Sequence, residues 1–170
     1  MLAYKDAVGV RLVSRNARDL TRRFPELAAA VDALEPPTLL LDGEIAVFDS
    51  QLLSHFEWIR ARPKDVAATP PTLIAFDCLY VRGKDLRARP LRVRRNVLEE
   101  VVDGQQLVLP ARRLAPDGFE AWAQVLERGY EGLVGKDEAS PYREGRTLSW
   151  LKVKQPKYRE GERGWEPQKS

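Results

Sequence analysis

Short apolar runs closed off by turn residues alternate along this chain with stretches whose apolar residues recur every three or four positions. Residues 2–5 and 10–14 read as two strands, with Asp6-Ala7-Val8-Gly9 as the turn, where Gly9 takes a positive φ at little cost. The first strand is expected to need an upstream partner to cover Leu2 and Tyr4. From Phe24-Pro25 the spacing changes: Leu27, Val31 and Leu34 share one helical face, proline suits the first helical position, and Pro36-Pro37 ends the helix. Residues 38–49 predict a buried strand, 52–60 a short helix ending before Pro63, and 72–81 another strand with Arg82-Gly83-Lys84-Asp85 as its turn. Helices are expected over 92–102 and 119–128, and short strands over 107–110, 132–136 and 148–153. There is no internal repeat. Residues 1–156 read as one domain, whereas 157–170 keep only Tyr158 and Trp165 among charges, glycine and proline, as a linker or disordered tail would.

Polar residues inside the apolar runs change this picture most. Asp42 and Glu44 are two apart on a strand, so both side chains leave one face while Leu41, Gly43 and Ile45 leave the other. Carboxylates flanked by Leu39-Leu40-Leu41 and Ile45-Ala46-Val47 are costly to bury unpartnered, and an exposed strand face is the ordinary alternative. Asp77 interrupts the run from Leu73 to Tyr80, where the neighbouring Phe76 would by itself be read as core. Lys152 and Lys154 alternate with Leu151 and Val153, which sets two ammonium groups on one strand face, as in an amphipathic edge strand or around an anion.

Composition narrows the chemistry. The chain has 170 residues and is 44% apolar, enough for one domain with a sizeable core. Its net charge of +3 is small but unevenly placed: Arg87, Arg89, Arg92, Arg94 and Arg95 crowd one stretch, and Lys152, Lys154, Lys157 and Arg159 another. Such clusters attract phosphates, although a solvated face is the usual explanation of the arginine run. Cys78 and His55 are each the only residue of their kind, which excludes an intramolecular disulfide and leaves a Cys/His metal cage without ligands. No apolar run approaches the roughly 20 residues of a membrane span, and no signal peptide is recognisable, so a cytoplasmic protein is expected.

Five short motifs stand in fixed order: Ser14-Arg15-Asn16, Asp42-Gly43-Glu44, Phe76-Asp77, Glu131-Gly132-Leu133-Val134-Gly135-Lys136 and Trp150-Leu151-Lys152-Val153-Lys154. Together they resemble the ATP-dependent DNA ligases, closest to the bacterial enzymes that act with end-joining polymerases. The resemblance implies an α+β, ATP-grasp-like nucleotidyltransferase domain of antiparallel sheets flanked by helices, N-terminally incomplete. It implies ATP and Mg²⁺ or another divalent cation, nicked or broken DNA ends, and end-joining proteins as partners. On the matching positions, Glu44 would hold the ribose, Phe76 would stack on adenine, Glu131 would bind the metal, and Lys152 and Lys154 would contact the phosphates. Arg15 would reach phosphate or the DNA end. The role of Lys136 is left open.

Two departures qualify the match. The family carries its lysine nucleophile in Lys-x-Asp-Gly upstream of Ser-Arg-Asn, and no such tetrapeptide occurs in this sequence; Lys5-Asp6-Ala7 has the wrong spacing and is rejected as the nucleophile. Ala17 stands where the family usually has glycine, which predicts about 1 kcal/mol of loop strain. A non-catalytic nucleotide- or DNA-binding remnant, a gene fragment, and an RNA ligase or capping-type nucleotidyltransferase are the alternatives.

Overall fold

The computed structural model describes residues 1–50, 54–60, 68–145 and 147–156. Contacts divide the chain into two units, Met1–Arg112 with Glu138–Glu144, and Arg113–Asp137 with the chain from Gly145 onward. The tail expected over 157–170 lies outside the described residues.

The first unit is a sheet with helices. Strands β1 (Leu2–Asp6) and β2 (Gly9–Val13) form a hairpin, and helix α1 (Pro25–Asp32) starts on its proline as expected. Strand β3 (Leu39–Ala46) pairs with β1 on one side and with β4 (Thr72–Val81) on the other. The expectation that β1 lacks a partner is therefore corrected: β2 and β3 flank it, and its Leu2 and Tyr4 are half-buried. A two-residue turn joins β4 to β5 (Lys84–Asp85), with φ of 46° at Arg82 and 79° at Gly83. Two successive positive φ values are what a tight type I′ hairpin requires.

Helix α2 (Leu91–Val101) follows, and then β6 (Val108–Pro110), which runs parallel to β4. The sheet is thus mixed rather than wholly antiparallel. Its core gathers Ala3, Leu12, Leu39, Leu41, Leu73, Ala75 and Val108 from the strands with Leu27, Val31 and Leu98 from the helices. Burying each of these leucine and valine side chains contributes about 1.5–3 kcal/mol. The helix expected over 52–60 is replaced, within the described residues, by a single 3-10 turn at Phe56–Ile59.

The second unit is smaller. Asp117 caps helix α3 (Gly118–Glu127) by accepting the backbone N–H groups of Phe119 and Glu120, and Ala121 and Val125 are its buried residues. Strands β7 (Gly132–Lys136) and β8 (Trp150–Lys154) then pair antiparallel as a two-stranded ribbon.

Candidate functional site

In the first unit the register explains which side chains leave the sheet together. Leu41 and Gly43 are buried, Asp42 is half-buried and Glu44 is exposed, so the alternation expected of β3 is present. Gly43 is required by close approach: a Cβ there would lie 2.5 Å from the Ile74 carbonyl oxygen and 2.9 Å from Ala75 Cα. Opposite it, the pairing of β4 skips a residue. Asp42 faces Asp77 and Gly43 faces Ala75, leaving Phe76 as the extra residue of a β-bulge. Bulges re-aim side chains. Phe76 is half-buried, with its carbonyl accepting from Arg95 at 3.4 Å.

Two carboxylates directly opposite on paired strands repel unless each is compensated. Asp77 is fully buried and receives a two-pronged contact from Arg94, Nε to Oδ1 and Nη2 to Oδ2, both 2.8 Å, with Arg94 itself fully buried. Asp42 accepts from the Tyr142 hydroxyl at 3.0 Å. Burial, then the nearby Asp42 charge, pushes the Tyr142 phenol well above its ordinary range, so it remains a donor. Arg94 also donates to the Ser140 carbonyl at 3.1 Å. The segment 138–144 is further held where Leu91 N donates to Ser140 O, Arg92 N to Glu138 O and Tyr142 N to Arg87 O.

These residues correct one expectation. Of the arginine run, Arg87, Arg89 and Arg92 are exposed, but Arg94 and Arg95 are buried and serve structure. Asp77 was the available signal, since a carboxylate in a core strand demands a cation. Nothing local announced Tyr142, a hundred residues from its partner.

Arg15 stands exposed in a turn that Ser14 closes twice: its carbonyl accepts from Ala17 N at 2.9 Å and its hydroxyl from Arg18 N at 3.1 Å. Ala17 has φ of 57°, the left-handed conformation expected of a glycine position. Lys5 donates to the carbonyls of Asp32 and Leu34 at 2.5 and 2.6 Å, so it caps the C-terminal end of α1. Cys78 is buried, which pushes its thiol up to about 12 and leaves it inert.

Glu131, Lys152 and Lys154 meet in the second unit. Glu131 Oε1 lies 2.5 Å from Lys154 Nζ and 3.5 Å from Lys152 Nζ. The bond from Lys154 is the main cause that holds the Glu131 carboxyl below its ordinary value. Register puts Val134 and Lys136 across from Lys152 and Trp150, so Lys136 shares the lysine face, its Nζ 3.8 Å from the Trp150 ring centre. Gly132 permits this ribbon, because a Cβ there would lie 2.0 Å from the Val153 carbonyl oxygen.

Of the six residues singled out by sequence, Arg15, Glu44 and Phe76 thus lie in the first unit, and Glu131, Lys152 and Lys154 in the second. Among the described residues no group of three or more His, Cys, Asp or Glu could hold a metal ion. One ionised carboxylate still suits Mg²⁺ when phosphate oxygens and water complete its shell. No helix among the described residues is long and apolar enough to cross a membrane.

Residues 1–154 match the family described as ATP dependent DNA ligase domain. The multifunctional non-homologous end joining DNA repair protein LigD of Mycobacterium tuberculosis (strain ATCC 25618 / H37Rv) is 36% identical over 155 residues, covering 91% of this chain and 20% of that protein. A probable DNA ligase of Streptomyces griseus is 37% identical, covering 89% of this chain and 33% of its own length. Among solved structures, mycobacterial DNA ligase D complexed with ATP and MES aligns with a TM-score of 0.77 at 34% identity, over 90% of this chain and 50% of that one. The chain therefore spans only a fifth to a third of these two relatives' length.

Proposed function

Since this chain belongs to the family of ATP-dependent DNA ligase domains, we propose that it supplies the nucleotide-binding part of a DNA-joining enzyme of the end-joining kind. The reaction of that whole enzyme would be transfer of AMP from ATP, with release of pyrophosphate, to the 5′-phosphate of a nicked or broken DNA end, after which a 3′-hydroxyl displaces AMP. It would act in the cytoplasm, alongside end-joining proteins.

In this reading Phe76, displaced by the bulge, stacks on the adenine, and the exposed Glu44 carboxylate accepts hydrogen bonds from the ribose hydroxyls. Lys152 and Lys154 stabilise the charge on the phosphate oxygens, which is where negative charge grows during transfer. Arg15 takes a phosphate of the nucleotide or of the DNA. Glu131, ionised and set between two ammonium groups, would hold Mg²⁺, which would neutralise phosphate charge. The observation that most supports the reading is the Lys152–Glu131–Lys154 cluster, because it joins the cations and the acid that phosphoryl chemistry needs on one short ribbon.

The 170 residues hold no Lys-x-Asp-Gly, and Lys5 is engaged as a helix cap. Self-adenylation by this chain is therefore not part of the proposal.

The test is ATP binding by the 170-residue chain with Mg²⁺, followed by titration calorimetry. Lys152→Ala removes a charge-assisted contact of roughly 1.5–3 kcal/mol and should weaken binding at least tenfold. Glu44→Ala and Phe76→Ala should weaken it too. Unchanged affinity in all three would refute the reading. Incubation with labelled ATP should give no covalent lysine–AMP adduct, which as a phosphoramidate would be acid-labile and alkali-stable, and an adduct abolished by Lys5→Ala would show that Lys5 had been misassigned. Binding of nicked RNA in preference to nicked DNA would favour the RNA-joining relatives instead.

A further inference from the structure

Two consecutive residues of α2, Arg94 and Arg95, both enter the interior, and they end there in different company. Arg94 meets a carboxylate as buried as itself, Asp77, which compensates its charge. Arg95, 8% exposed, sends Nη2 to the carbonyl oxygen of Ala111 at 2.7 Å and Nη1 to that of Phe76 at 3.4 Å. It also bonds Glu99 one turn along the helix at 3.2 Å, an acid that keeps 39% of its side chain exposed. Drawing a cation out of water to bond main-chain carbonyls is costly, so the place where those carbonyls lie is informative.

They lie where the central strand of the first unit is irregular. The β3–β4 register steps from Asp42 opposite Asp77 to Gly43 opposite Ala75, and the parallel β4–β6 register ends with Ala75 opposite Pro110. Neither register extends over Phe76. Ala111 comes next along the chain: its N–H donates to the Ala75 carbonyl at 2.7 Å, and its own carbonyl takes the Arg95 guanidinium. Arg95 therefore ties the bulge of β4 to the point at which the chain leaves β6. Its own root is fixed, because Leu91 and Leu98 of the same helix are buried.

A bulge re-aims a side chain while interrupting the ladder that would otherwise hold it. Phe76 is half-buried, so part of it stays accessible to a ligand. The planar guanidinium presents its donors at fixed angles and can bridge two carbonyls on separate segments, a geometry that the compact ammonium of lysine does not reproduce.

We propose that Arg95 is a positioning residue for the base of the nucleotide: by holding the Phe76 carbonyl it sets the plane of the Phe76 ring, and through it the affinity for adenine. This rests on the reading of Phe76 as the adenine-stacking residue and adds what aims it. The phosphate-binding part of that reading, Glu131, Lys152 and Lys154, belongs to the second unit, whereas Arg95, Phe76 and Ala111 all belong to the first. Arg95 thus governs the base-dependent share of affinity and not the phosphate-dependent share.

The experiment compares two ligands of the full chain with Mg²⁺ by titration calorimetry: ATP, and inorganic tripolyphosphate, which carries phosphates without base or ribose. Loss of an aromatic stacked on a base weakens binding by roughly fivefold to a hundredfold, so Phe76→Ala should lower ATP affinity by at least about fivefold and leave tripolyphosphate affinity within about twofold. Arg95→Met and Arg95→Lys should follow the same pattern to a lesser degree, with ATP weakened about threefold or more and tripolyphosphate again within about twofold. Added to Phe76→Ala, either Arg95 change should weaken ATP binding no further, because both act through one ring. Arg95→Lys keeps the buried charge and gives the answer should Arg95→Met not fold. Unchanged ATP affinity in the Arg95 variants, equal weakening of both ligands, or losses that add to that of Phe76→Ala would overturn the proposal and leave Phe76 as the stacking residue. Unchanged ATP affinity in Phe76→Ala itself would refute the stacking reading, and the positioning role with it.

Discussion

Ala17 occupies the left-handed region at φ 57° without glycine's freedom there. That conformation costs an ordinary residue about 1–2 kcal/mol, partly offset because glycine would also gain entropy in the unfolded chain. Ala17→Gly should therefore raise stability, by about 1 kcal/mol, in urea unfolding at neutral pH. The sequence announced this position through its departure from the family's glycine, and the backbone bears it out. Glu131 offers a second measurement. Its carboxyl is held below its ordinary value, mainly by the hydrogen bond from Lys154, so its stabilising effect is present above that ordinary value and is lost as pH falls through the lower folded value. Glu131→Gln should remove this part of the acid sensitivity, seen as a flatter dependence of stability on pH below about 4.5. The alternation of Asp42 and Glu44 was legible because a strand's period is two. The partner of Asp42 was not, because Tyr142 reaches it only through the tertiary fold.

At the level of elements, apolar spacing predicted strands and helices where local pattern and packing agree. Residues 72–81 and 132–136 form strands over those same spans, and α1, α2 and α3 lie within two residues of expectation. It failed where register or a parallel neighbour decides. The bulge at Phe76 and the pairing of β6 with β4 depend on partners far away in sequence. The ribbon of β7 and β8 depends on one small residue. With a Cβ at Gly132 placed 2.0 Å from the Val153 carbonyl, the obstruction is backbone and cannot rotate away. Gly132→Ala should cost about 1–3 kcal/mol, in the range of overpacked sites. Faster amide exchange at Val134 and Lys152 would register the strands parting, while exchange in β3 and β4 should hold.

For the molecule as a whole, the Asp77–Arg94 pair is the most consequential polar contact, since both side chains are fully buried. Arg94→Met would strand a buried carboxylate and should destabilise the chain by about 3–5 kcal/mol, whereas Arg94→Met with Asp77→Leu should recover most of that loss. Thermal unfolding of the two variants checks it; equal losses would mean that the pair is not what costs. The arginine run reads as solvated from sequence because charge alone says nothing of burial. Asp77, an acid in a core strand, was the cue that one of those arginines must turn inward.

The segment 138–144 has its own consequence. It belongs to the first unit although the strands before and after it belong to the second, so the backbone passes between the units three times, near 112, 137 and 144. Neither unit corresponds to one uninterrupted stretch of coding sequence. Expressing the second alone would require splicing 113–137 to 145 onward with an artificial bridge, and a protease that nicked the chain once near 112 would leave two covalent links uncut. On a denaturing gel that product would run as two bands; under native conditions it would still elute as one particle.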